Sequence, residues 1–393
     1  MNWETRYADR MSTVRSSQIM DLIRMMSQRS LINFAAGLPD PGGFPVDILK
    51  EAANQIFAED WRLGLQYSEP EGYRPLREWV AADLTRRGVP TTVDQVLMVS
   101  GSQQGIDLVA RAFLQEGDVV LTENPTYLSA LQIFRSFGAS PAAIRTDEHG
   151  LDPDAAISAF AQPGVKLLYT MANHHNPAGV TLAADRRPLL LRRAAAAGVP
   201  ILVDEAYVDL RYDEGETSLL AAADPEVPIL TIGTFSKTIV PAMRVAWVAG
   251  PVDVVKRIGL LKQMTDLHAN PFTQRIVHRY LMGGHLPAQV SRLRSIYREK
   301  RGLFLEALER HFTGLATWNR PAGGMFLLLR LLDGRSGMAP LERALEQGVA
   351  YVPGSLFFPT GGGEDTVRLS FVSAALDEIE EGISRLAKVI AST

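Results

Sequence analysis

Seven short apolar runs, nearly continuous and separated by stretches of helical pattern, constrain this chain more than any other feature. They are Val96–Ser100, Val119–Glu123, Ala142–Thr146, Lys166–Met171, Ile201–Asp204, Leu230–Thr234 and Val245–Gly250. They are rich in Val, Ile, Leu and Met and mostly do not alternate with polar residues. A strand with one wet face alternates; a strand covered on both faces is apolar throughout. Parallel strands need crossovers long enough to hold a helix. Gln104–Leu114, Tyr127–Phe137 and Leu182–Ala197 fit that need, with Asp118, Gly138 and Gly198 as turns. The expectation is an α/β fold: a three-layer αβα large domain over residues 45–280, built on a mostly parallel seven-stranded sheet.

The pattern then changes. Residues 288–312 read as one long helix rich in Arg and Leu. Gly323–Leu329, Ala350–Pro353 and Val367–Phe371 read as strands, and Asp377–Ile390 as a closing helix. This predicts a smaller α+β domain over residues 281–393. Residues 1–44, helical around Ser17–Met26, are expected to pack beside it. Gly361-Gly362-Gly363 is a turn and not a phosphate loop, because no helix start follows it.

Composition limits the partners. With 393 residues and 46% hydrophobic content the chain can bury a large core. Its net charge of -4 offers no basic field for nucleic acid or anionic membrane. Cysteine is absent, so disulfides and thiolate metal sites are excluded. The N-terminus lacks the basic and apolar segments of an export signal. No stretch approaches the roughly 20 apolar residues of a membrane span. A cytoplasmic location, with no membrane or nucleic-acid partner, is the expectation.

Lysine is scarce: Lys50, Lys166, Lys237, Lys256, Lys262, Lys300 and Lys388. Six sit on helix-like surfaces or at strand starts. Lys237 alone follows a buried apolar run, in the small-residue loop Gly233-Thr234-Phe235-Ser236-Lys237-Thr238. A side chain at the carboxyl end of a parallel strand faces the ligand crevice of such sheets. A desolvated amine there has a lowered pKa and can form a Schiff base. Asp204 ends another apolar run and is followed by Glu205-Ala206-Tyr207. A buried acid is costly unless it meets a cation, and a protonated pyridine nitrogen is one. Ser100-Gly101-Ser102-Gln103-Gln104-Gly105 joins a strand to a helix, and free N–H groups at that start suit a phosphate. Arg244, seven residues past Lys237, could bind the same group. Each feature alone has a plainer reading: a surface lysine, a helix cap, an ordinary turn, a solvated arginine.

Together they carry more. The chain resembles the fold-type I, class I/II aminotransferases, closest to the branch of kynurenine and 2-aminoadipate aminotransferases. The resemblance runs from Met11-Ser12-Thr13-Val14-Arg15-Ser16-Ser17 to Val367–Phe371. It rests on Ala36-Gly37-Leu38-Pro39, Tyr67–Arg77, Gly101-Ser102-Gln103-Gln104 and Glu123-Asn124-Pro125-Thr126-Tyr127. It continues through Asn176-Pro177-Ala178-Gly179, Asp204–Tyr207, Ser236-Lys237 and Met243–Trp247. The resemblance implies pyridoxal 5'-phosphate as cofactor, with an amino acid and a 2-oxo acid as substrates. Lys237 would hold the cofactor as an aldimine and shuttle the proton. Asp204 would pair with the pyridine nitrogen. Tyr207 and Asn176 would contact the phenolic oxygen, and Tyr127 would stack on the ring. Gly101, Ser102, Gln103, Thr234, Ser236 and Arg244 would form the phosphate cup. Arg368 would grip the substrate carboxylate, with Gly37 allowing close backbone approach. Tyr67 would reach the phosphate bound by the neighbouring subunit, which implies a homodimer.

Some positions depart from the pattern. Met20 stands where the aminoadipate-type branch has an arginine for a distal carboxylate, with Arg24 one turn on. Neutral or cationic substrate side chains are therefore expected, the latter paired with Asp21, Asp40 or Glu69. The stretch Met171-Ala172-Asn173-His174-His175 before Asn176, where the family more often has an aromatic and a glutamine, carries the adjacent His174 and His175. Read as strand neighbours they point apart and share no metal; near the substrate one could titrate near neutral pH. The same lysine, aspartate and phosphate cup also serve lyases, cyclases, decarboxylases and oxidases, so such a reaction is the alternative. Some regulators carry this fold behind a DNA-binding domain, for which no room is expected here.

Overall fold

A computed structural model describes residues 3–8, 11, 31–213 and 218–392. The predicted helix around Ser17–Met26, with Met20, Asp21 and Arg24, lies outside the described residues. The seven apolar runs form one sheet. Its strands are β1 (Val96–Val99), β2 (Val119–Glu123), β3 (Ser140–Ile144), β4 (Val165–Thr170), β5 (Ile201–Asp204), β6 (Ile229–Thr234) and β7 (Ala246–Ala249). Their order across the sheet is β1-β7-β6-β5-β4-β2-β3. All neighbours are parallel except β7, which runs antiparallel to both β1 and β6. Several boundaries differ by a single residue, and β3 differs by two: it ends at Ile144, and Thr146–Asp147 pairs instead with Gly150–Leu151 in a separate ribbon.

The continuous apolar pattern has its cause in two-sided burial. Leu202 of β5 enters one core cluster while its neighbours Ile201 and Val203 enter another. Helix α1 (Ser102–Phe113) buries Ile106, Val109 and Ala110 in the first of these clusters. Helix α2 (Leu128–Ser136) adds Phe134 there, and α3 (Arg186–Ala197) covers the opposite face through Leu190, Leu191 and Ala194. Each large aliphatic side chain so buried contributes about 1.5–3 kcal/mol. Helix α4 (Val252–Asp266) packs beside α1.

A second sheet has strands β8 (Ala316–Trp318), β9 (Phe326–Leu331), β10 (Val352–Pro353) and β11 (Thr366–Ser370). Its order is β8-β9-β11-β10, antiparallel throughout. It is backed by α5 (Leu286–Phe312) and α6 (Glu378–Ala391), which pack on each other. Ile32–Asn33 runs parallel to Val349–Ala350. Phe34 continues inward, donating to Ala350 O and accepting from Ser370 N, with its ring edge-on to Phe304 at 5.0 Å. This anchors Ala35–Leu38 between the two sheets. Among the described residues, no helix is long and apolar enough to cross a membrane.

Two lysines expected on surfaces are buried. Lys262 of α4 pairs with Asp266, and Lys300 of α5 binds Asp40 and the carbonyls of Val372 and Ala374. A helical pattern does not show which face of the helix is covered, nor that Lys300 meets acceptors on other segments, and paired burial is the condition under which lysine enters a core.

Candidate active site

The crevice lies along the carboxyl ends of the parallel strands, and β7 determines what meets there. Because β7 runs antiparallel between β1 and β6, its first residue, Ala246, stands opposite both Val99 and Thr234. The residues just before β7 therefore face the turns that follow β1 and β6. Arg244, held at φ 54, sends Nη2 to within 3.5 Å of Ser100 O. A Cβ on Gly101 would lie 1.9 Å from that nitrogen, and Gly101 itself has φ +95. Only glycine fits both conditions.

Helix α1 starts at Ser102, two residues earlier than the pattern suggested, with no side chain capping its first turn. The N–H groups of Ser102 and Gln103 thus belong to an open helix start facing Arg244. On the β6 side, Thr234 accepts from Ser236 N at 3.1 Å and donates to Ser236 Oγ at 3.0 Å. A helix start, two hydroxyls and a guanidinium make a fitting cradle for a phosphate dianion.

Lys237 follows at the end of the short turn Phe235–Lys237. Its Nζ donates to Gly37 O at 3.1 Å and lies 5.8 Å from the Tyr207 ring centre. Burial, then the charge of Arg244, bring its pKa down to about 8, while Asp204 opposes the shift. An amine so placed is a ready nucleophile near neutral pH. Gly37 admits no side chain, since a Cβ would meet the Phe326 ring at 2.3 Å.

Asp204 closes β5 and is buried. It accepts from Tyr169 Oη at 3.1 Å and Ala206 N at 3.1 Å. Burial raises its pKa to about 6 even so, leaving it ready to take a cationic partner. Tyr169 was missed by sequence reasoning. It sits inside the β4 run, and only the pairing of β4 with β5 brings it to Asp204.

Tyr207 and Tyr127 are both held above the ordinary phenol value, chiefly by burial, and each feels the charges of Asp204 and Arg368. Asn176 hydrogen-bonds the Tyr207 side chain, and its Oδ1 accepts from Arg368 Nη1 at 3.1 Å. Arg368, on β11, donates Nη2 to Ala35 O and lies between the Phe326 and Phe357 rings at 4.4 and 4.7 Å. Burial lowers its pKa to about 10. Its Nε is buried and has no partner among the described residues, an orphan donor suited to an incoming carboxylate.

Three expectations need correction. Asp40 cannot receive a cationic substrate, because Lys300 Nζ holds it at 2.6 Å and its other oxygen accepts from Gly42 N. His174 and His175 lie in the loop after β4, not in a strand, with His174 at φ 52. Burial, with Arg211 next, brings the His174 pKa down to about 4, so this ring does not titrate near neutral pH. His175 Nδ1 accepts from Ala178 N at 3.3 Å and its Nε2 stands 3.8 Å from Glu123. Among the described residues no group of three potential ligands could hold a metal.

The His174 shift has a measurable consequence. The unfolded chain takes up a proton that the folded ring refuses, so this contribution is present above pH 6.5 and lost as pH falls toward 4. Asp204 works in the opposite direction, since its raised value favours the folded state on acidification. The comparison that isolates His174 is the unfolding free energy of the apoprotein against that of His174→Gln. Between about pH 7 and pH 5 the gap should move by about 2 kcal/mol in favour of the variant. A gap independent of pH would mean that the folded ring accepts the proton.

Tyr67 is the one described site residue that does not join the others. It is 78% exposed, edge-on to His268 at 5.6 Å, in a depression formed with Leu65, His268, Pro271 and Phe272.

Comparison with known proteins gives the chemistry a family. Residues 29–386 match the family model for aminotransferase class I and II. An aromatic-amino-acid aminotransferase of Thermococcus litoralis is 34% identical, across 99% of this chain and 95% of its own. The crystal structure of Thermus thermophilus alpha-aminoadipate aminotransferase, complexed with N-(5'-phosphopyridoxyl)-L-leucine, superimposes with a TM-score of 0.93. It is 34% identical and covers 100% of this chain and 99% of that one. Pyrococcus horikoshii kynurenine aminotransferase superimposes with a TM-score of 0.95 at 35% identity, over 100% and 98% of the two chains. These relatives are aminotransferases, not lyases, cyclases or oxidases. With the phosphate cradle, the buried carboxylate and the desolvated lysine on one sheet edge, the chain belongs to the class I and II aminotransferases and is a pyridoxal-phosphate-dependent enzyme.

Proposed function

We propose that Lys237 is the catalytic amine, that Asp204 and Arg368 hold the cofactor ring and the substrate, and that the donor is an L-amino acid with an uncharged side chain. Pyridoxal phosphate, when bound, supplies an aldehyde for amines and a conjugated ring that accepts the electron pair released at the substrate α-carbon. The protein's residues do the rest. Asp204, buried and backed by Tyr169, would keep the pyridine nitrogen protonated. Tyr207 and Asn176 would bind the phenolic oxygen, and Tyr127 would stack on the ring. Gly101, Ser102, Gln103, Thr234, Ser236 and Arg244 would hold the phosphate. Arg368 would fix the α-carboxylate so that the Cα–H bond points at Lys237, which takes the proton and later returns it. The observation that carries this reading is Arg368: a guanidinium clamped by two rings and Asn176, with Nε unpartnered among the described residues and its charge felt by Lys237.

The uncharged side chain rests on two features. Met20 stands where a relative acting on dicarboxylates would need an arginine, and Asp40 is engaged by Lys300. A buried carboxylate without a partner costs at least about 1–3 kcal/mol. Neutral donors should therefore exceed 2-aminoadipate and glutamate in kcat/KM by about tenfold or more. A clear preference for 2-aminoadipate in steady-state kinetics would overturn this reading.

A homodimer with Tyr67 donated to the partner's phosphate site is part of the same proposal. Tyr67 and Leu65, both exposed, line one depression with Pro271 and Phe272. Clustered exposed apolar side chains of this size mark association surfaces.

A further inference from the structure

A charged pair far from the cradle in sequence reaches it through a single side chain. Lys262, on α4, is wholly buried, and its Nζ donates to Asp266 Oδ1 at 2.8 Å. The other oxygen, Oδ2, accepts from Gln104 Nε2 at 2.7 Å and from Ser100 Oγ at 3.4 Å. Gln104 Oε1 in turn accepts from Ser100 N at 2.7 Å. The backbone thus held is the turn that opens α1, where Ser100 O faces Arg244 and Gln104 N donates to Gly101 O at 3.1 Å.

We propose that Lys262 and Asp266 are positioning residues for the phosphate cradle, acting through Gln104 on the Ser100–Gln103 turn. The proposal rests on the reading of that turn as the phosphate site. The two ends of a carboxamide have nearly the same shape, but only its oxygen can accept from Ser100 N. Asp266, which only accepts, takes the nitrogen end and thereby sets the oxygen toward Ser100. A lone carboxylate would repel a phosphate dianion held nearby; Lys262 cancels that charge. Burial draws the Lys262 ammonium below its ordinary value, and Asp266 opposes this. Without Lys262 the Asp266 carboxylate loses its counter-charge. Without the amide, Ser100 N loses its acceptor and the turn is free to close the open helix start.

The test separates the phosphate from the rest of the cofactor. Apoprotein is titrated with pyridoxal phosphate and, separately, with pyridoxal, for the wild type, Lys262→Met and Gln104→Met. Losing one buried partner should raise the Kd for pyridoxal phosphate about tenfold in both variants. The Kd for pyridoxal should change by less than about twofold, since a merely local contact sets it. Equal loss for both compounds, or loss for neither, overturns the proposal. Should Lys262→Met fail to fold, Gln104→Met carries the same comparison while leaving the buried pair intact. If wild-type protein binds pyridoxal as tightly as pyridoxal phosphate, the phosphate assignment itself falls, and the network's role with it.

Discussion

Replacing Lys237 by alanine will lower kcat by at least about 10⁴-fold and remove the visible absorption of cofactor joined to the protein. Two losses combine. Nζ is the only side-chain amine brought to the crevice among the described residues, and nearby Lys262 and Lys300 are committed to Asp266 and Asp40. Among the described residues no second base stands ready for the α-proton either: Tyr207 is held above the ordinary phenol value and His174 is engaged with Thr181. The pKa of about 8 matters here, because an amine near the working pH is both nucleophile and proton carrier. Cofactor bound without the covalent link should still be retained through the phosphate cradle, so the variant is expected to bind pyridoxal phosphate reversibly. A variant that kept both colour and turnover would remove Lys237 from the mechanism.

The second large effect is expected at Arg368. Arg368→Lys should lower kcat/KM for L-amino acids by about 10³-fold, or about 4 kcal/mol, and leave the affinity for pyridoxal phosphate nearly unchanged. Lysine keeps the charge but not the fork. The guanidinium plane is gripped between Phe326 and Phe357 while its nitrogens divide among Asn176, Ala35 and a free direction at Nε. An ammonium has no plane to stack and cannot offer two parallel bonds to a carboxylate. The loss should be largest in kcat, since orientation of Cα–H toward Lys237 is what the fork secures. If Arg368→Lys reduced cofactor affinity and kcat/KM in parallel, Arg368 would be a structural support and not the carboxylate anchor.

The corrections share a physical origin. The Asp40–Lys300 and Gln104–Asp266 pairings were unreadable because they connect elements 260 and 162 residues apart, whereas Lys262 and Asp266 pair within one helix and only its packing hid their burial. Local pattern says which face of a helix is apolar; it does not say what that face meets. His174 was misjudged for a related reason. Loop residues after a strand were read with strand geometry, whereas the chain turns there through a left-handed residue. Tyr169 was hidden inside an apolar run whose other members are ordinary core.

Local chemistry determined the seven strands, because burial on both faces leaves a continuous apolar run that no loop or surface helix imitates. It also marked Lys237, Asp204 and the Gly101 turn, each ending or following such a run, whereas Arg368 was named only through the family resemblance. The convergence of those residues was decided in three dimensions. β7 had to run antiparallel between β1 and β6 to bring Arg244 over Gly101. Ile32–Asn33 had to pair with Val349–Ala350 to set Gly37 beside Lys237. Strand order and long-range pairing are set by the packing of whole faces, a property that no window of sequence contains.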